Sequence, residues 1–199
     1  MSDIIDVFKE RRSIRAYEDR PIEDALVEKI VQEAYYSPNA GNKQLLRMVV
    51  CKDREINDYL GKLRHAVTNR FWWPERFPEG TDYRKITDED LATDDTVNSF
   101  YDAPVVVYLF SPKEFEFAEA DAYIMSNNLC LIARNYDVGS VIDSVATDYF
   151  VTERSRQILS DWKLGDDYSI RAHASLGYPK GGFPDPAPHD KYEPPLFVG

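Results

Sequence analysis

The sequence predicts an α+β domain, and three observations support that prediction. Two segments, 21–38 and 118–140, place apolar residues at the three- and four-residue spacing of one helix face. Three shorter runs, 45–52, 103–111 and 168–179, are rich in branched and apolar residues, as buried strands are. Helices and strands succeed one another along 199 residues, a length that favours a single domain spanning 1–199.

The chain begins with a predicted short helix. Ile4, Ile5 and Phe8 lie at helical spacing, and Ser2 or Asp3 is available as the N-cap. The helix ends where the sequence RRSIR begins, at residues 11–15. Three arginines and a serine therefore follow its last turn.

The second predicted helix carries its apolar residues on one face: Leu26, Val27, Ile30, Val31 and Ala34. Pro38 ends the pattern, because proline cannot continue a helix. Residues 39–44, NAGNKQ, have the composition of a turn, and strand 45–52 follows them.

A third helix is predicted from about residue 53 to 69. Periodicity is lost over 70–100, where clustered aromatic residues mix with Pro, Gly and acidic residues. We interpret 62–100 as a variable covering segment that includes short helices.

The second half of the chain alternates strands and helices. After strand 103–111, helix 118–140 has its stripe on Ala122, Met125, Leu129, Ile132 and Ala133. Residues 140–146 favour a short strand, residues 148–162 a helix, and residues 168–179 the last strand.

The last twenty residues, 180–199, contain five of the twelve prolines and predict an extended arm. Leu196, Phe197 and Val198 near its end are apolar and need cover. A partner subunit or the chain's own domain could provide that cover, and composition does not decide between them.

Net charge excludes one class of partner. The formal net charge is −11, so we expect no general affinity for nucleic acid or anionic membrane, because a negative field repels polyanions. No apolar run approaches the roughly 20 residues of a membrane span, and the N-terminus lacks the pattern of a signal peptide. We expect a cytoplasmic protein without membrane association.

Several common sites are absent from the sequence. It contains no phosphate-binding loop, no G-x-G-x-x-G fingerprint and no nucleophile-elbow motif. His65, His173 and His189 lack metal-ligand spacing, so no metal is expected. Cys51 and Cys130 lie inside apolar runs, which predicts two buried thiols rather than a disulfide.

The basic cluster, defined as Arg11, Arg12, Ser13 and Arg15, has two interpretations. Arginines after a helix can be solvated and interact with its negative end for ~0.3–1 kcal/mol each. Alternatively, guanidinium forks and a serine hydroxyl bind a phosphate through charge-assisted, often bidentate hydrogen bonds.

The order of motifs resembles the FMN-dependent nitroreductase family. RRSIR follows the first helix, and SPNAGNKQ at 37–44 follows the second. Further matches are the strand APVVVYLF, the helix DAYIMSNNLCLIARNYDVGS with an aspartate near its start, and LGYP at 176–179 before the proline-rich tail. The resemblance touches most of the chain outside 62–100.

The resemblance implies a fold and an assembly. It implies a nitroreductase-like fold with a central mixed, mainly antiparallel sheet flanked by helices, and a C-terminal arm that extends onto the partner subunit. It also implies a homodimer with FMN at the subunit interface and two flavins per dimer.

The resemblance also implies site residues. The phosphate and ribityl end of FMN would contact Arg11, Ser13 and Arg15, together with Arg12. The opposite subunit would contribute Pro38, Asn39, Ala40, Asn42 and Gln44, although these could equally form an Asx-type turn before the strand. The backbone at the flavin ring edge would come from Asp143, Ser144 and Val145, and a late basic contact to phosphate from Lys191, with His189 as alternative.

Some residues depart from the family pattern. Leu45 and Leu46 follow Gln44 where a Pro-Trp pair is usual. Asp143 places a carboxylate beside the ring, which would disfavour an anionic reduced flavin unless the side chain points away. Five aromatic residues could either cover the substrate pocket or pack against the rest of the protein: Phe71, Trp72, Trp73, Phe77 and Tyr83.

The function implied is that of an FMN-dependent oxidoreductase. NAD(P)H would give hydride to flavin N5, and a nitroaromatic or quinone would take the electrons in a ping-pong cycle. No catalytic side chain is required, because the chemistry belongs to the cofactor. Two alternatives stay open: a flavin-binding module or interaction protein without turnover, and an acidic interaction domain that binds no flavin.

Overall fold

A four-stranded antiparallel sheet organises the structure, a computed structural model. It describes residues 3–68, 80–92, 97–145, 147–188 and 192–198. The strands are β1 (Arg47–Cys51), β2 (Val105–Pro112), β3 (Gly139–Ser144) and β4 (Tyr168–Gly177). Their order across the sheet is β1-β2-β4-β3, so β2 and β4 are central. A parallel bridge joins Ser13 to Ser140 at the β3 edge.

Six helices flank the sheet within the described ranges. They are α1 (Ile4–Glu10), α2 (Asp24–Ala34), α3 (Arg54–Thr68), α4 (Asp88–Leu91), α5 (Ala118–Asn135) and α6 (Glu153–Asp161). Short 3-10 helices span Ala40–Asn42 and Tyr83–Lys85. In the part of the chain that the structure describes, no helix has the length and apolar character to cross a membrane. The predicted α+β class is confirmed.

The two faces of the sheet pack against different layers. On one face, α2 buries Val27, Ile30, Val31 and Ala34 against α5 and the sheet, so the predicted stripe of α2 is confirmed, with Leu26 partly buried. On the other face, α3 and α6 enclose an aromatic cluster built on Tyr108, Phe110, Tyr149, Phe150 and Trp162. Because both faces of β2 are covered, almost every residue of that strand is buried.

Two element boundaries differ most from the prediction, and local packing explains both. Helix α6 begins at Glu153, not at 148, because Thr152 and Ser155 form a capping box and Tyr149 and Phe150 pack in the core instead. Helix α5 ends at Asn135, two residues before Asp137 takes a left-handed conformation (φ 56°) and the chain turns into β3.

The structure also locates part of the predicted covering segment and the two cysteines. Residues 62–68, assigned to the covering segment in the prediction, form the last turns of α3. Short helices do occur within its described part, at Tyr83–Lys85 and Asp88–Leu91. Cys51 and Cys130 are buried free thiols, as predicted.

The C-terminal arm has no helix or strand in its described residues, 180–188 and 192–198. Leu196, Phe197 and Val198 are 88%, 89% and 87% exposed. The described residues of this protomer therefore do not cover the apolar end of the arm.

The segment after α1 is anchored to the edge of the sheet. Ile14 donates its N–H to the carbonyl of Ser140 in β3 (2.9 Å), and its side chain is buried. Glu18 donates to Tyr178 (2.8 Å), and Lys180 donates to Ala16 (3.0 Å). Residues 11–18 thus have a fixed position next to β3 and the end of β4.

Two glycines allow this close approach. A Cβ atom at Gly177 would lie 2.6 Å from Cδ1 of Tyr17 and 2.8 Å from Cδ of Pro104. A Cβ atom at Gly139 would lie 2.9 Å from Cγ1 of Ile14. Any larger residue would therefore displace the anchored segment.

We expect Gly177→Ala to destabilise the protein by about 1–3 kcal/mol, because the added methyl group overpacks the contact with Tyr17 and Pro104. Chemical denaturation measures the loss. Gly165→Ala is the control, since its Cβ would meet the carboxylate end of the exposed Asp167 side chain, which can rotate away. Equal stability of wild type and Gly177→Ala would contradict the anchoring role.

Candidate functional site

The basic cluster follows the anchored backbone. The chain is extended at Ser13, which bridges to Ser140, and Ile14 points into the core. Because neighbouring side chains of an extended segment point to opposite sides, Ser13 and Arg15 point away from the core, and both are exposed. The Arg15 guanidinium lies 5.9 Å from the centroid of the Tyr101 ring.

The arginines of this cluster are not paired with acids. Among the described residues, Arg11, Arg12 and Arg15 have no carboxylate within 4.0 Å. Ion pairs do occur at Arg20, Lys52, Arg54, Lys62, Arg84, Lys85, Arg134 and Arg154. In a chain with a net charge of −11, unpaired adjacent arginines are available for an external anion.

Arg12 differs from its neighbours because it contacts the arm. Its Nη1 donates to the carbonyl oxygen of Asp185. Nearby in the arm, the Phe183 ring lies 4.2 Å from the Arg134 guanidinium. Arg12 therefore holds the start of the arm beside the basic cluster. Lys191 and His189 lie outside the described residues, and their predicted contact stays a prediction.

The predicted ring-edge residues lie at the end of β3. Asp143 is three residues after Ser140, which is about 10 Å along the strand from the bridge to Ser13. Ser144 is exposed, and its carbonyl oxygen accepts a hydrogen bond of 2.9 Å from Nη2 of Arg64. The structure thus brings the basic cluster and the end of β3 to the same edge of the sheet.

The Asp143 side chain is buried and faces His173 in β4, with 3.7 Å between Oδ2 and Nδ1. Burial raises the pKa of Asp143 to about 6, and the positive charges of Arg64 and Arg15 oppose part of that rise. Burial also lowers the pKa of His173 well below its usual value. The carboxyl therefore lies on the side of the sheet covered by α3, along with Tyr108 and His173.

The predicted turn, residues 38–44, is formed and braced from within. The Asn39 side-chain oxygen accepts the N–H of Gln44 (2.9 Å), and the Asn42 side-chain oxygen accepts from Nε2 of Gln44 (3.0 Å). Asn42 and Gln44 both have a φ of 53° in the left-handed region. The carboxylate of Asp121, buried in the first turn of α5, accepts the N–H of Ala40 (2.9 Å). These contacts form the predicted turn, but the Asn39 side chain bonds the N–H five residues on rather than two, so it is not an Asx turn. Pro38, Asn42 and Gln44 are exposed.

The turn and the basic cluster lie at different ends of α5. Ala40 contacts Asp121, whereas the charge of Arg11 acts on Cys130. Nine residues separate Asp121 from Cys130, which is about 13 Å along the helix. Within one protomer these two predicted groups are therefore apart.

A pocket of about 190 Å³ adjoins the turn. Its lining consists of Tyr35, Asn39, Gln44, Leu45, Leu46 and Met125. Leu45 and Leu46 thus provide an apolar wall next to the amides. The predicted aromatic cover at Phe71, Trp72, Trp73 and Phe77 lies outside the described residues, and Tyr83 belongs to a short 3-10 helix.

Sequence reasoning did not assign a role to three residues that shape the site. Arg64 holds the end of β3, His173 faces Asp143, and the Asp121 carboxylate fixes the turn. Asp121 had a sequence signal, an aspartate near the start of a long apolar helix. Arg64 and His173 had none, because their contacts depend on helix rotation and strand register.

Comparison with known proteins identifies similar sequences and structures. The family model described as "Nitroreductase family" matches residues 8–178. A protein of Archaeoglobus fulgidus named "Putative NADH dehydrogenase/NAD(P)H nitroreductase" is 27% identical over 184 residues, which cover 90% of this chain and 87% of that protein. A protein of the same name from Methanothermobacter thermautotrophicus is 24% identical over 196 residues, covering 96% of this chain and 84% of that protein.

Solved structures share the fold. An FMN-bound nitroreductase from Bacteroides fragilis superimposes with a TM-score of 0.78 at 18% identity, over 100% of both chains. An FMN-bound nitroreductase from Desulfitobacterium hafniense has a TM-score of 0.70 at 17% identity, again over 100% of both chains. The nitroreductase-like fold predicted from the motifs is confirmed.

We expect Asp121→Ala to destabilise the protein by about 1–3 kcal/mol, because it leaves the Ala40 N–H without its acceptor. Asp121→Asn keeps a side-chain oxygen at the same place and is the matched variant. Asp121→Asn should retain most of the stability that Asp121→Ala loses. Thermal and chemical unfolding compare the two, and equal stabilities would show that this hydrogen bond does not fix the turn.

Proposed function

Since this chain belongs to the nitroreductase family, we propose that it is an FMN-dependent oxidoreductase that takes hydride from NAD(P)H and reduces a small flat acceptor. The observation that carries the proposal is the group of unpaired arginines on the segment fixed beside β3. A nitroaromatic or a quinone is the acceptor class we propose, because flat aromatic molecules stack on a flavin ring.

The residues present fit the phosphate end of FMN. Arg11 and Arg15 provide planar donors without a competing carboxylate among the described residues, and Ser13 provides a hydroxyl on the exposed side of the same segment. Arg12 would act through the arm, since it holds the carbonyl of Asp185. Lys191 or His189 would then approach the phosphate from the arm.

The other residues would position the ring. Bound FMN supplies the acceptance and donation of hydride. The backbone of the exposed Ser144 and the half-buried Val145 would face the ring edge, and Arg64 holds this segment through the Ser144 carbonyl. The buried Asp143 carboxyl faces His173 rather than that exposed edge, so it would not contact the ring directly.

We further propose a homodimer that unites the two separated groups. Exposed apolar side chains lie on α1, in and just before the first turns of α5, and at the end of the arm: Ile4, Ile5, Phe8, Phe117, Ile124, Leu196, Phe197 and Val198. Others are Tyr35, Tyr36, Val50, Val97 and Tyr192. Such surface is typical of an interface. Docking there would bring the partner's turn, with its Asn and Gln amides, to the basic cluster of the first protomer.

Arg11→Ala and Arg15→Ala should each weaken FMN binding by ~1.5–3 kcal/mol, because each removes hydrogen bonds to a charged phosphate. That loss corresponds to a Kd increase of roughly 10- to 150-fold. Fluorescence titration of the deflavinated protein with FMN measures it. Arg54→Ala is the control, since that exposed arginine pairs with Asp19. Unchanged FMN affinity in both cluster variants would contradict the phosphate site.

Turnover separates the enzyme from a flavin-binding module. We expect the purified protein to show flavin absorbance and to consume NAD(P)H steadily when a nitroaromatic or a quinone is added. Flavin absorbance without consumption would support the module, and a protein that stays colourless after incubation with FMN would contradict both. Arg11→Ala should lose activity at limiting FMN and recover it at saturating FMN, as expected for a residue that binds the cofactor.

A further inference from the structure

A buried acid–imidazole pair lies just inside the end of β3. Asp143 and His173 are directly opposite each other in the antiparallel register of β3 and β4. Their Oδ2 and Nδ1 atoms are 3.7 Å apart. His173 is fully buried (0% exposed), and Asp143 is 8% exposed. The exposed Ser144 is the next residue along the strand.

Three polar atoms of the two side chains have no hydrogen-bond partner in the described part of the chain. Oδ2 of Asp143 and both ring nitrogens of His173 are buried without a hydrogen bond there. Buried polar atoms normally have partners, because an unmet donor or acceptor is costly. A closer approach of well under 1 Å would bring Oδ2 and Nδ1 to a hydrogen-bond distance of about 3 Å. The two groups are therefore placed to serve each other.

We propose that Asp143 and His173 form a proton-holding pair, in which Asp143 takes up or releases one proton beside the flavin edge and His173 is the positioning residue that accepts or donates the matching hydrogen bond. The reference to flavin rests on the proposed function, whereas the pair itself is a property of the protein without cofactor.

The imidazole can match either state of the acid while staying neutral. A protonated Asp143 donates its O–H to Nδ1, and the ring then carries its hydrogen on Nε2. An ionised Asp143 accepts from Nδ1–H, and Nε2 is then bare. Going from the first state to the second, the pair releases one proton to solvent, and no other group is oxidised or reduced.

The surroundings favour the neutral forms. Burial is the main cause of the raised pKa of Asp143, about 6, and of the lowered pKa of His173. The groups whose charges act on Asp143, or on which its charge acts, come from α3, α5, the segment after α1 and the loop before α6: Arg64, Cys130, Arg15, Tyr17 and Tyr149. The two arginines lower the pKa of Asp143 but do not return it to its ordinary value.

Ionisation of the pair should change how the reduction potential of the bound flavin depends on pH. Below pH 6 the pair is neutral, and as the pH rises through about 6 a negative charge appears inside the end of β3. A nearby negative charge disfavours an anionic reduced flavin. The reduction potential of the bound flavin should therefore fall more steeply with pH above that point.

The pair can be tested first without flavin. His65→Gln and His189→Gln together leave His173 as the single histidine, so ¹⁵N-labelled histidine reports on it alone, and ¹³C-labelled aspartate reports on Asp143. We expect one carboxyl to titrate near pH 6 and Nδ1 of His173 to change its tautomeric shift at the same pH, without the ring becoming cationic. In Asp143→Asn both changes should vanish, and in Asp166→Asn, an exposed control, both should persist.

Contradiction would be equally clear. If every carboxyl titrates near pH 4, or if the His173 nitrogen shifts are constant from pH 5 to 8, the pair does not hold the proton. The wild-type spectra decide this even if Asp143→Asn fails to fold, because that variant only assigns the carboxyl signal.

The flavin-loaded protein provides the second measurement. The potential measured against pH should bend near pH 6 in wild type and in Asp166→Asn, and should lose that bend in Asp143→Asn. Bound flavin with no bend in wild type would overturn the proposed effect on the ring. A titrating pair in a protein that binds no FMN would instead contradict the proposed function and leave the pair intact.

Discussion

The docking of Ile14 onto the β3 edge is the constraint on which the site depends. Ile14 buries its side chain and donates to Ser140, so Ser13 and Arg15, its immediate neighbours, must face outward. The glycines at 139 and 177 make room for this approach. The hydrophobic contact of this one residue thus fixes the position of the unpaired arginines relative to β3.

Local arrangement, not total charge, supports the anion site that we propose. A net charge of −11 repels polyanions at long range, but salt screens such fields beyond a Debye length of about 10 Å at 0.1 M. Within that distance, the positive charge of guanidinium groups without carboxylate partners dominates the local electrostatic potential. The combination favours a small, multiply charged phosphate over nucleic acid or an anionic membrane.

Helices and strands could be predicted from the sequence because their periodicity is local, as the stripe of α2 shows. The start of α6 could not, because Tyr149 and Phe150 look helical in sequence but pack in the aromatic core. The candidate cofactor residues were found as motifs. The contacts of these residues could not be found in the same way. Asp143 lies opposite His173 only because of the strand register, and Arg12 bonds Asp185, which is 173 positions further along the chain. Such contacts have no local signature.

The turn at 38–44 suggests when the site becomes ordered. Two residues with left-handed backbone, Asn42 and Gln44, cost of order 1 kcal/mol each or more, and Asn39 and Asp121 offset that cost within the protomer. The turn is therefore formed before any partner or ligand arrives. If a second protomer then places it against the basic cluster, both halves of the site are already rigid, and binding need not order the backbone again. In that case folding of each chain, not capture of the proposed cofactor, would carry the entropic cost of assembling the site.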